Sequence, residues 1–297
     1  MDKNYVFFEE KGVNWDSVHS VYFPRTRNLT DKDYIPVFQE LISIFKDGHL
    51  CIETTDRMIN YELPFSVVDS FSSGGAPQQY FYEPILQTSN KMFWGLQLKE
   101  NIAYIEIATF NETFDYKKFD SVINRFSCSN GIILDVRSNS GGMSVGVVDL
   151  AACFFTENRT LWYQRGKTGA GHNDFSDYYS ISAKGFGFVD KNIPVVLLTG
   201  GRTYSAANYF AGIMKYLPNV TVIGTKTGGG GSARTATIMP NGWKLYYPYT
   251  PACDIQMNSL EKGVEPHIKI EATKAELQEN PHLVFETAYN YLLRNVK

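Results

Sequence analysis

Ser205 is a candidate nucleophile because of where it stands in the sequence. It lies in the segment TGGRTYSAANYFAG, residues 199–212, where an apolar run ends and a helical pattern begins. A serine at this point commonly caps the helix by accepting a backbone N–H. The same position lifts a hydroxyl out of a sheet and sets it at the positive end of a helix dipole, as a nucleophile requires. Catalysis would also need a base.

Two other residues have chemistry that would serve Ser205. His49 follows a glycine in KDGHL and precedes apolar residues, which is typical either of a core or capping histidine or of a base at a cleft edge. Glu265, in KGVEPHI, is held extended by Pro266, and an acid flanked by apolar residues needs a partner such as a histidine, although a solvated turn acid is commoner. The order His, Ser, Glu is compatible with a catalytic triad, since triads are recognised by geometry.

Glycine-rich turns follow two of the predicted strands. In SNSGG, Gly141 and Gly142 follow an apolar strand, and such glycines let backbone amides form an oxyanion hole, although a tight turn alone also favours glycine. The other turn, TKTGGGGSA, does not match a P-loop, and neither does SNSGGMS. No GxGxxG opens a helix after the first strand, so nucleotide binding is disfavoured.

Alternating strands and helices must position these turns. Short continuous apolar strands between helices predict an α/β fold with a largely parallel sheet. The predicted strands are the 93–107 hairpin and residues 131–136, 193–198, 220–224, 235–239 and 243–247, and the predicted helices are 116–126, 145–155, 206–217 and 283–293. Residues at the carboxyl ends of parallel strands gather at one edge, where function is expected.

The N-terminal part has a different pattern. The first 50 residues are predicted to be helical, with an amphipathic helix over 34–46 that ends at a left-handed Gly48. Residues 51–90 mix turn formers with aromatics and have no clear order. We therefore predict a helical region with an irregular connector over 1–90 and an α/β catalytic domain over 91–297.

Composition narrows the possible partners. The 297 residues are 43% hydrophobic with a net charge of −3 and no basic block, which indicates a globular protein that does not bind nucleic acid. No apolar run reaches the roughly 20 residues of a membrane-spanning helix, and no secretory signal is visible. Four cysteines without metal-ligand spacing are expected to be buried thiols, and no metal or cofactor is implied.

Five motifs in this order resemble the C-terminal-processing (tail-specific) serine peptidases. They are KDGHL, GIILDVRSNSGG, RTYSAANYFAGIM, VIGTKTGGGG and KGVEPHI, and they extend over nearly the whole chain. The sequence is similar to the branch that contains the tricorn protease core and the retinoid-binding relatives. This resemblance implies a crotonase-like fold of sheet and helices, a peptide or protein substrate, and an exported protein.

The resemblance also implies the site residues. Ser205 is the nucleophile, His49 the base and Glu265 the orienting acid, with Gly141 or Gly142 and the backbone of Ala206 as the oxyanion hole. Relatives that use a lysine base carry it where Gly230 stands here, and Lys226 falls several residues early. A Ser-Lys dyad is therefore disfavoured.

A PDZ domain, which many relatives insert, needs roughly 80 residues or more, and the 51–90 connector is too short for one. We therefore expect a PDZ-less serine peptidase that acts through an acyl-enzyme. A non-catalytic binding module for an apolar ligand or peptide on the same scaffold is the alternative, since aromatic segments such as YFYEP could line an apolar cleft.

Overall fold

The computed structural model describes residues 1–27, 29–72, 74–82, 86–87, 93–111, 126 and 128–295. The chain divides into two compact units, each assembled from three segments. Unit 1 holds Met1–Pro64, Gln164–Tyr179 and Ser232–Ala252, and unit 2 holds Phe65–Tyr163, Ser180–Gly231 and Cys253–Lys297. The domain boundary that the sequence predicts between residues 90 and 91 stays a prediction.

The elements are numbered in chain order. The helices are α1 (Trp15–Arg25), α2 (Asp31–Phe45), α3 (Val67–Phe71), α4 (Ser144–Ala152), α5 (Ala206–Met214), α6 (Lys274–Glu279) and α7 (Leu283–Asn295). The strands are β1 (Cys51–Glu53), β2 (Met58–Asn60), β3 (Leu86–Gln87), β4 (Phe93–Leu98), β5 (Ile102–Ile107), β6 (Gly131–Asp135), β7 (Asn158–Gln164), β8 (Tyr179–Lys184), β9 (Val195–Thr199), β10 (Val220–Gly224), β11 (Ser232–Ile238), β12 (Lys244–Cys253) and β13 (Ile268–Lys269).

Unit 2 is built on a mostly parallel sheet with the strand order β13-β10-β9-β6-β5-β4-β3. The strands from β5 to β13 in this sheet run parallel, with Ile132 opposite Val195 and Val195 opposite Val220. β3, β4 and β5 pair antiparallel. β6 and β9 are buried along their whole length, which is why their sequences are continuously apolar until the last residue. The predicted α/β class is confirmed.

Helices cover both faces of this sheet. Phe285 and Leu292 of α7 are fully buried in one cluster with Ile133 and Val196. Residues alternate across a strand, so Leu197 points to the opposite face, where α5 contacts β9 and β10. The carboxyl ends of β6 and β9 therefore emerge side by side between two helical layers, and the glycine turns follow from them.

Most predicted elements of unit 2 lie within three residues of the observed ones. This holds for the predicted strands at 131–136, 193–198 and 220–224 and for the helices that begin at 206 and 283. The helix predicted at 116–126 falls almost wholly outside the described residues. Parallel strands and amphipathic helices have local sequence patterns, so their positions can be predicted without the tertiary contacts.

Unit 1 combines α1 and α2 with an antiparallel sheet in the order β2-β1-β12-β11. Its core is aromatic, and Tyr5 packs edge-on against Phe45 with ring centroids 4.9 Å apart. The predicted helical character holds for α1 and α2, whereas residues 1–14 form turns. These turns bring Tyr5 under the end of α2, next to the KDGHL segment.

The predicted left-handed cap at Gly48 is wrong. α2 ends at Phe45, and Lys46 takes the left-handed conformation with φ 49°. The chain turns this early because Asp47 is fully buried: its carboxylate accepts the Tyr5 hydroxyl at 2.8 Å and the His49 backbone N–H at 2.8 Å. The buried carboxylate sets the position of the turn, and a non-glycine residue adopts the strained conformation.

Within the described ranges, no helix combines the length and the apolar character needed to cross a membrane. Cys51, Cys153 and Cys253 are buried thiols as predicted, whereas Cys128 is exposed, contrary to the prediction. Cys128 lies in a turn just before β6, outside the apolar run that suggested burial.

Candidate active site

Ser205 directly precedes α5, in a conformation that L residues rarely adopt. Its backbone has φ 53° and ψ −121°, and its side chain makes no capping hydrogen bond to the helix. The turn is held on both sides, because Tyr204 N–H donates to Asn139 O at 3.1 Å and Ser205 N–H donates to Gly229 O at 2.9 Å. Such strain persists only where the surroundings impose it, and it is a property of nucleophile turns.

A buried threonine joins the two turns. The Thr203 hydroxyl donates to Val136 O at 2.8 Å and accepts the Gly200 N–H at 3.0 Å, and Thr203 is fully buried. The segment that follows β9 is thereby fixed to the end of β6. The sequence alone does not indicate this role of Thr203, since a threonine in a polar turn has no distinctive local pattern.

Gly141 and Gly142 occupy the facing turn, with φ of +106° and +141°. A Cβ on Gly141 would lie 2.8 Å from Ser205 Cβ and 2.9 Å from the Ala206 nitrogen, so the two turns are in direct contact. The Gly141 N–H donates to Asn139 Oδ1 at 2.8 Å. No hydrogen bond among the described residues uses the N–H of Gly142 or of Ala206, which makes these two amides the available oxyanion donors.

Asn139 is the buried residue that holds the glycine turn. It is fully buried, and besides accepting from Gly141 its Nδ2 donates to Ile107 O at 2.9 Å. Its backbone carbonyl accepts Tyr204 N–H. One side chain and one carbonyl therefore fix both turns beside Ser205, a role that the SNSGG motif contained but that sequence analysis did not assign.

We expect Gly142→Ala to lower the free energy of unfolding by at least about 2 kcal/mol. An added Cβ would meet the Phe110 carbonyl carbon at 2.2 Å at a φ that strains any L residue, so overlap and strain both contribute. Gly75→Ala is the matched control, because Gly75 has φ +74° with nothing within 4 Å of the added atom. Urea unfolding should show a loss of only about 1 kcal/mol there, and equal losses in the two variants would contradict the steric argument.

His49 belongs to unit 1 and is buried, with 5% of its surface exposed. Burial lowers the pKa of His49 to about 4, Asp47 opposes that shift, and the charges of Arg234 and Lys11 add to it. The backbone N–H of His49 is held by Asp47, whose other carboxylate oxygen accepts the Tyr5 hydroxyl. The imidazole is therefore neutral at physiological pH, as a general base must be.

The acid predicted from sequence, Glu265, lies on the surface of unit 2. Its side chain is 55% exposed, and its Oε1 lies 3.0 Å from Lys226 Nζ. Lys226 is itself exposed, so it is not the desolvated amine that a lysine base requires. A second acid in the same segment, Glu261, is buried and accepts the Gly231 N–H at 2.9 Å. No local sequence pattern distinguishes Glu261 as a buried acid, although it stands only four residues before Glu265.

Gly230 stands where some relatives carry a lysine base, and the structure leaves no room for a side chain. Its φ is +80°, and an added Cβ would meet the Tyr204 ring at 2.6 Å. The neighbouring Thr227 hydroxyl donates to Asn208 Oδ1 at 2.6 Å and accepts the Val264 N–H at 2.6 Å, which ties this segment to α5. The glycine-rich segment therefore packs around the serine turn.

Of the predicted residues, the structure brings together Ser205, Ala206, Gly141 and Gly142 in unit 2. His49 belongs to unit 1, and Glu265 is exposed. In the ranges that the structure covers, no group of three or more His, Cys, Asp or Glu side chains could hold a metal ion. The arrangement supplies a strained hydroxyl and two amides beside it, which is chemistry suited to acyl transfer.

Comparison with known proteins indicates one family. Residues 101–270 match the family described as Peptidase family S41. The carboxy-terminal processing protease CtpA of Bacillus subtilis is 28% identical over 173 residues, which cover 58% of this chain and 35% of that protein. CtpB of the same organism is 28% identical over 177 residues, which cover 57% of this chain and 34% of that protein. The chain thus spans about a third of the length of these relatives.

Solved structures extend the likeness to the whole chain. A Parabacteroides merdae protein, solved as a candidate peptidase, is 26% identical with a TM-score of 0.86, and the match covers 99% of this chain and 93% of that one. Mature CPAF is 12% identical with a TM-score of 0.71, and the match covers 100% of this chain and 96% of that one. At 12% identity, the second likeness shows the fold alone.

Proposed function

This chain belongs to peptidase family S41, and from this premise we propose that it is a serine peptidase that processes carboxyl-terminal tails of peptides or proteins. The observation that carries the proposal is Ser205, held at φ 53° before α5 without capping that helix. The glycine turn beside it supports the same reaction. The processing of tails is supported by the names of the relatives CtpA and CtpB.

In the proposed mechanism, His49 takes the proton from Ser205 Oγ as that oxygen attacks the peptide carbonyl carbon. The N–H groups of Gly142 and Ala206 stabilise the resulting oxyanion, and each good donor contributes about 10²- to 10³-fold in turnover. His49 then gives its proton to the leaving amine, and an acyl-enzyme forms. Water attacks the ester with His49 as base again, which releases the new carboxyl terminus and restores the serine.

An acid that orients His49 completes the proposal. Glu265 is the residue that the sequence resemblance indicates for this role, and Glu261, four residues earlier, is buried and accepts the Gly231 N–H in the glycine-rich segment beside the serine turn. We expect Glu261→Gln to lower kcat/KM more than Glu265→Gln, because Glu261 is buried in the segment that packs around the serine turn, whereas loss of the exposed Glu265–Lys226 pair should cost less than about 3-fold. Steady-state kinetics of the two variants measure the difference.

The pair of variants is informative because both exchange one oxygen for an amide of the same shape. Glutamine can still accept the Gly231 N–H, so the fold around residue 261 should persist, which thermal unfolding can verify. A larger loss in Glu265→Gln would restore the assignment made from sequence. Equal, small losses would mean that neither carboxylate supports the reaction.

Two finer assignments belong to the same proposal. A crotonase-like arrangement is supported by the parallel sheet and by the glycine turn that offers amides at the carboxyl end of β6. An extracytoplasmic place of action, periplasmic or lipid-anchored, is supported by the sequence resemblance.

The proposal is tested by incubating the purified protein with a diverse peptide library at neutral pH and identifying products by mass spectrometry. We expect new carboxyl termini at defined distances from the original ends. A folded protein that cleaves no peptide contradicts the proposal. If it also retains an apolar ligand through purification, the result favours the alternative of a binding module.

A further inference from the structure

A polar cavity of about 260 Å³ lies in unit 2 at the carboxyl ends of β6 and β9. The side chains that matter for its chemistry are Asp69, Ser72, Arg137, Ser138 and Arg202. Ser138 and Arg202 belong to the two turns that hold Gly141 and Ser205. At this volume, below the roughly 300 Å³ of the smallest drug-sized sites, the cavity suits a small group such as a chain end.

The acceptors of this cavity are already used. Asp69 Oδ1 accepts the Gly201 N–H at 2.9 Å and the Thr225 hydroxyl at 2.7 Å. Its Oδ2 accepts the Ser66 hydroxyl at 2.6 Å and the Ser66 N–H at 3.3 Å. A carboxylate offers about four lone-pair positions, so these four donors occupy it. A cationic ligand would find little to bind at Asp69.

The donors, in contrast, are available. The Ser72 hydroxyl is buried with no hydrogen-bond partner in the described part of the chain, although a buried polar atom without a partner costs free energy. Arg202 is exposed and lies over the Phe65 ring at 4.2 Å, and it forms no ion pair among the described residues. Arg137 differs, because it is committed to Asp135 through Nε and Nη2.

Available donors and occupied acceptors define a site for an anion. Resting on the proposed function, we propose that the cavity binds the free α-carboxylate at the carboxyl terminus of the substrate, through the Arg202 guanidinium and the Ser72 hydroxyl. Charge-assisted hydrogen bonds of this kind are the stronger ones, and the guanidinium matches the geometry of a carboxylate. The enzyme would thus recognise a tail by its end.

The position of Arg202 sets where the cut falls. Ser205 is the third residue after Arg202, so their Cα atoms lie at most about 11 Å apart. An extended peptide rises about 3.3 Å per residue, and the arginine side chain adds to the span. A substrate anchored at the cavity is therefore cut at most about five residues from its carboxyl terminus.

The test measures binding, so that it does not depend on turnover. Fluorescence anisotropy of the Ser205→Ala protein would compare two labelled peptides of one sequence, one ending in a free acid and one in a carboxamide. We expect the acid to bind at least about 10-fold more tightly, and we expect Arg202→Gln in the same background to remove that preference. Ser72→Ala should reduce it by a smaller factor.

Arg159→Gln is the matched control, because Arg159 lies in the same unit but does not line this cavity, and the preference should survive there. Equal binding of acid and amide, or a preference that persists in Arg202→Gln, overturns the proposal. An amide peptide that binds as tightly as the acid once it carries an internal glutamate would assign the site to side-chain carboxylates and overturn the terminal assignment. Preference for the acid without any cleavage by the wild-type protein would contradict the proposed function while supporting this site.

Discussion

Ser205→Ala is expected to lower kcat by about 10⁵- to 10⁶-fold, which is the scale on which removing the nucleophile of a serine peptidase abolishes turnover. The loss follows from chemistry alone, since alanine offers no oxygen to form the acyl-enzyme. It should appear in kcat rather than in substrate affinity, because the oxyanion donors and the substrate-binding surfaces remain. Initial rates on a peptide identified from the library measure it.

Ser140→Ala is the control for this variant. Ser140 lies in the glycine turn and is exposed, so its loss removes a hydroxyl from the same region without touching the proposed reaction. Both variants should unfold at the wild-type temperature, as alanine at position 205 meets the same backbone strain as serine. If Ser205→Ala retained activity, the nucleophile would lie elsewhere and the proposed mechanism would be wrong.

The case for a nucleophile at Ser205 rests on a contrast within unit 2. Ser66 and Thr273 also precede helices, and both adopt φ near −70° and accept a backbone N–H in a capping box. Ser205 has φ 53° and makes no such bond to α5. Helix capping therefore explains Ser66 and Thr273 but not the backbone conformation of Ser205. A catalytic role explains that conformation.

The part of the fold that could be predicted is the part with local patterns. The apolar runs of β6, β9 and β10 allow their positions, and hence the edge that holds Ser205, to be predicted from sequence. The Gly48 error shows the limit, because the end of α2 depends on the burial of Asp47 under Tyr5, 42 residues away. No local pattern contains that contact.

The residues of the candidate site also fall into those that the sequence predicts and those that it does not. Ser205 and the two glycines occur at a strand end and have recognisable spacing, so sequence analysis found them. Asn139 and Glu261 act through burial and through bonds to distant backbone, which the sequence does not display. Likewise, Glu265 stands in a more conspicuous motif than Glu261, yet it is exposed on the surface.

His49→Gln is expected to lower kcat about as much as Ser205→Ala, because the proposed nucleophile and base act as a unit. For the wild type, the usual histidine pKa near 6.5 would predict activity that falls below that pH. Burial lowers the pKa of His49 to about 4. Because only the neutral imidazole accepts the proton, kcat/KM should stay nearly constant from pH 8 to about 5 and halve near pH 4. A half-point near 6.5 would contradict this environment for His49.

The same burial has a consequence for stability that can be measured without any substrate. The unfolded chain binds a proton at His49 near pH 6.5, whereas the folded protein binds it only near 4. Below pH 6.5 the unfolded state therefore binds more protons, and by pH 4 folding loses about 3 kcal/mol through this residue. Urea unfolding at pH 6.5 and at pH 4 measures this. Between these pH values, the free energy of unfolding of the wild type should fall by about 3 kcal/mol more than that of His49→Gln, because glutamine does not titrate. Equal losses would mean that His49 titrates normally, and a pH-rate profile that still extended to pH 4 would then have to come from a different base.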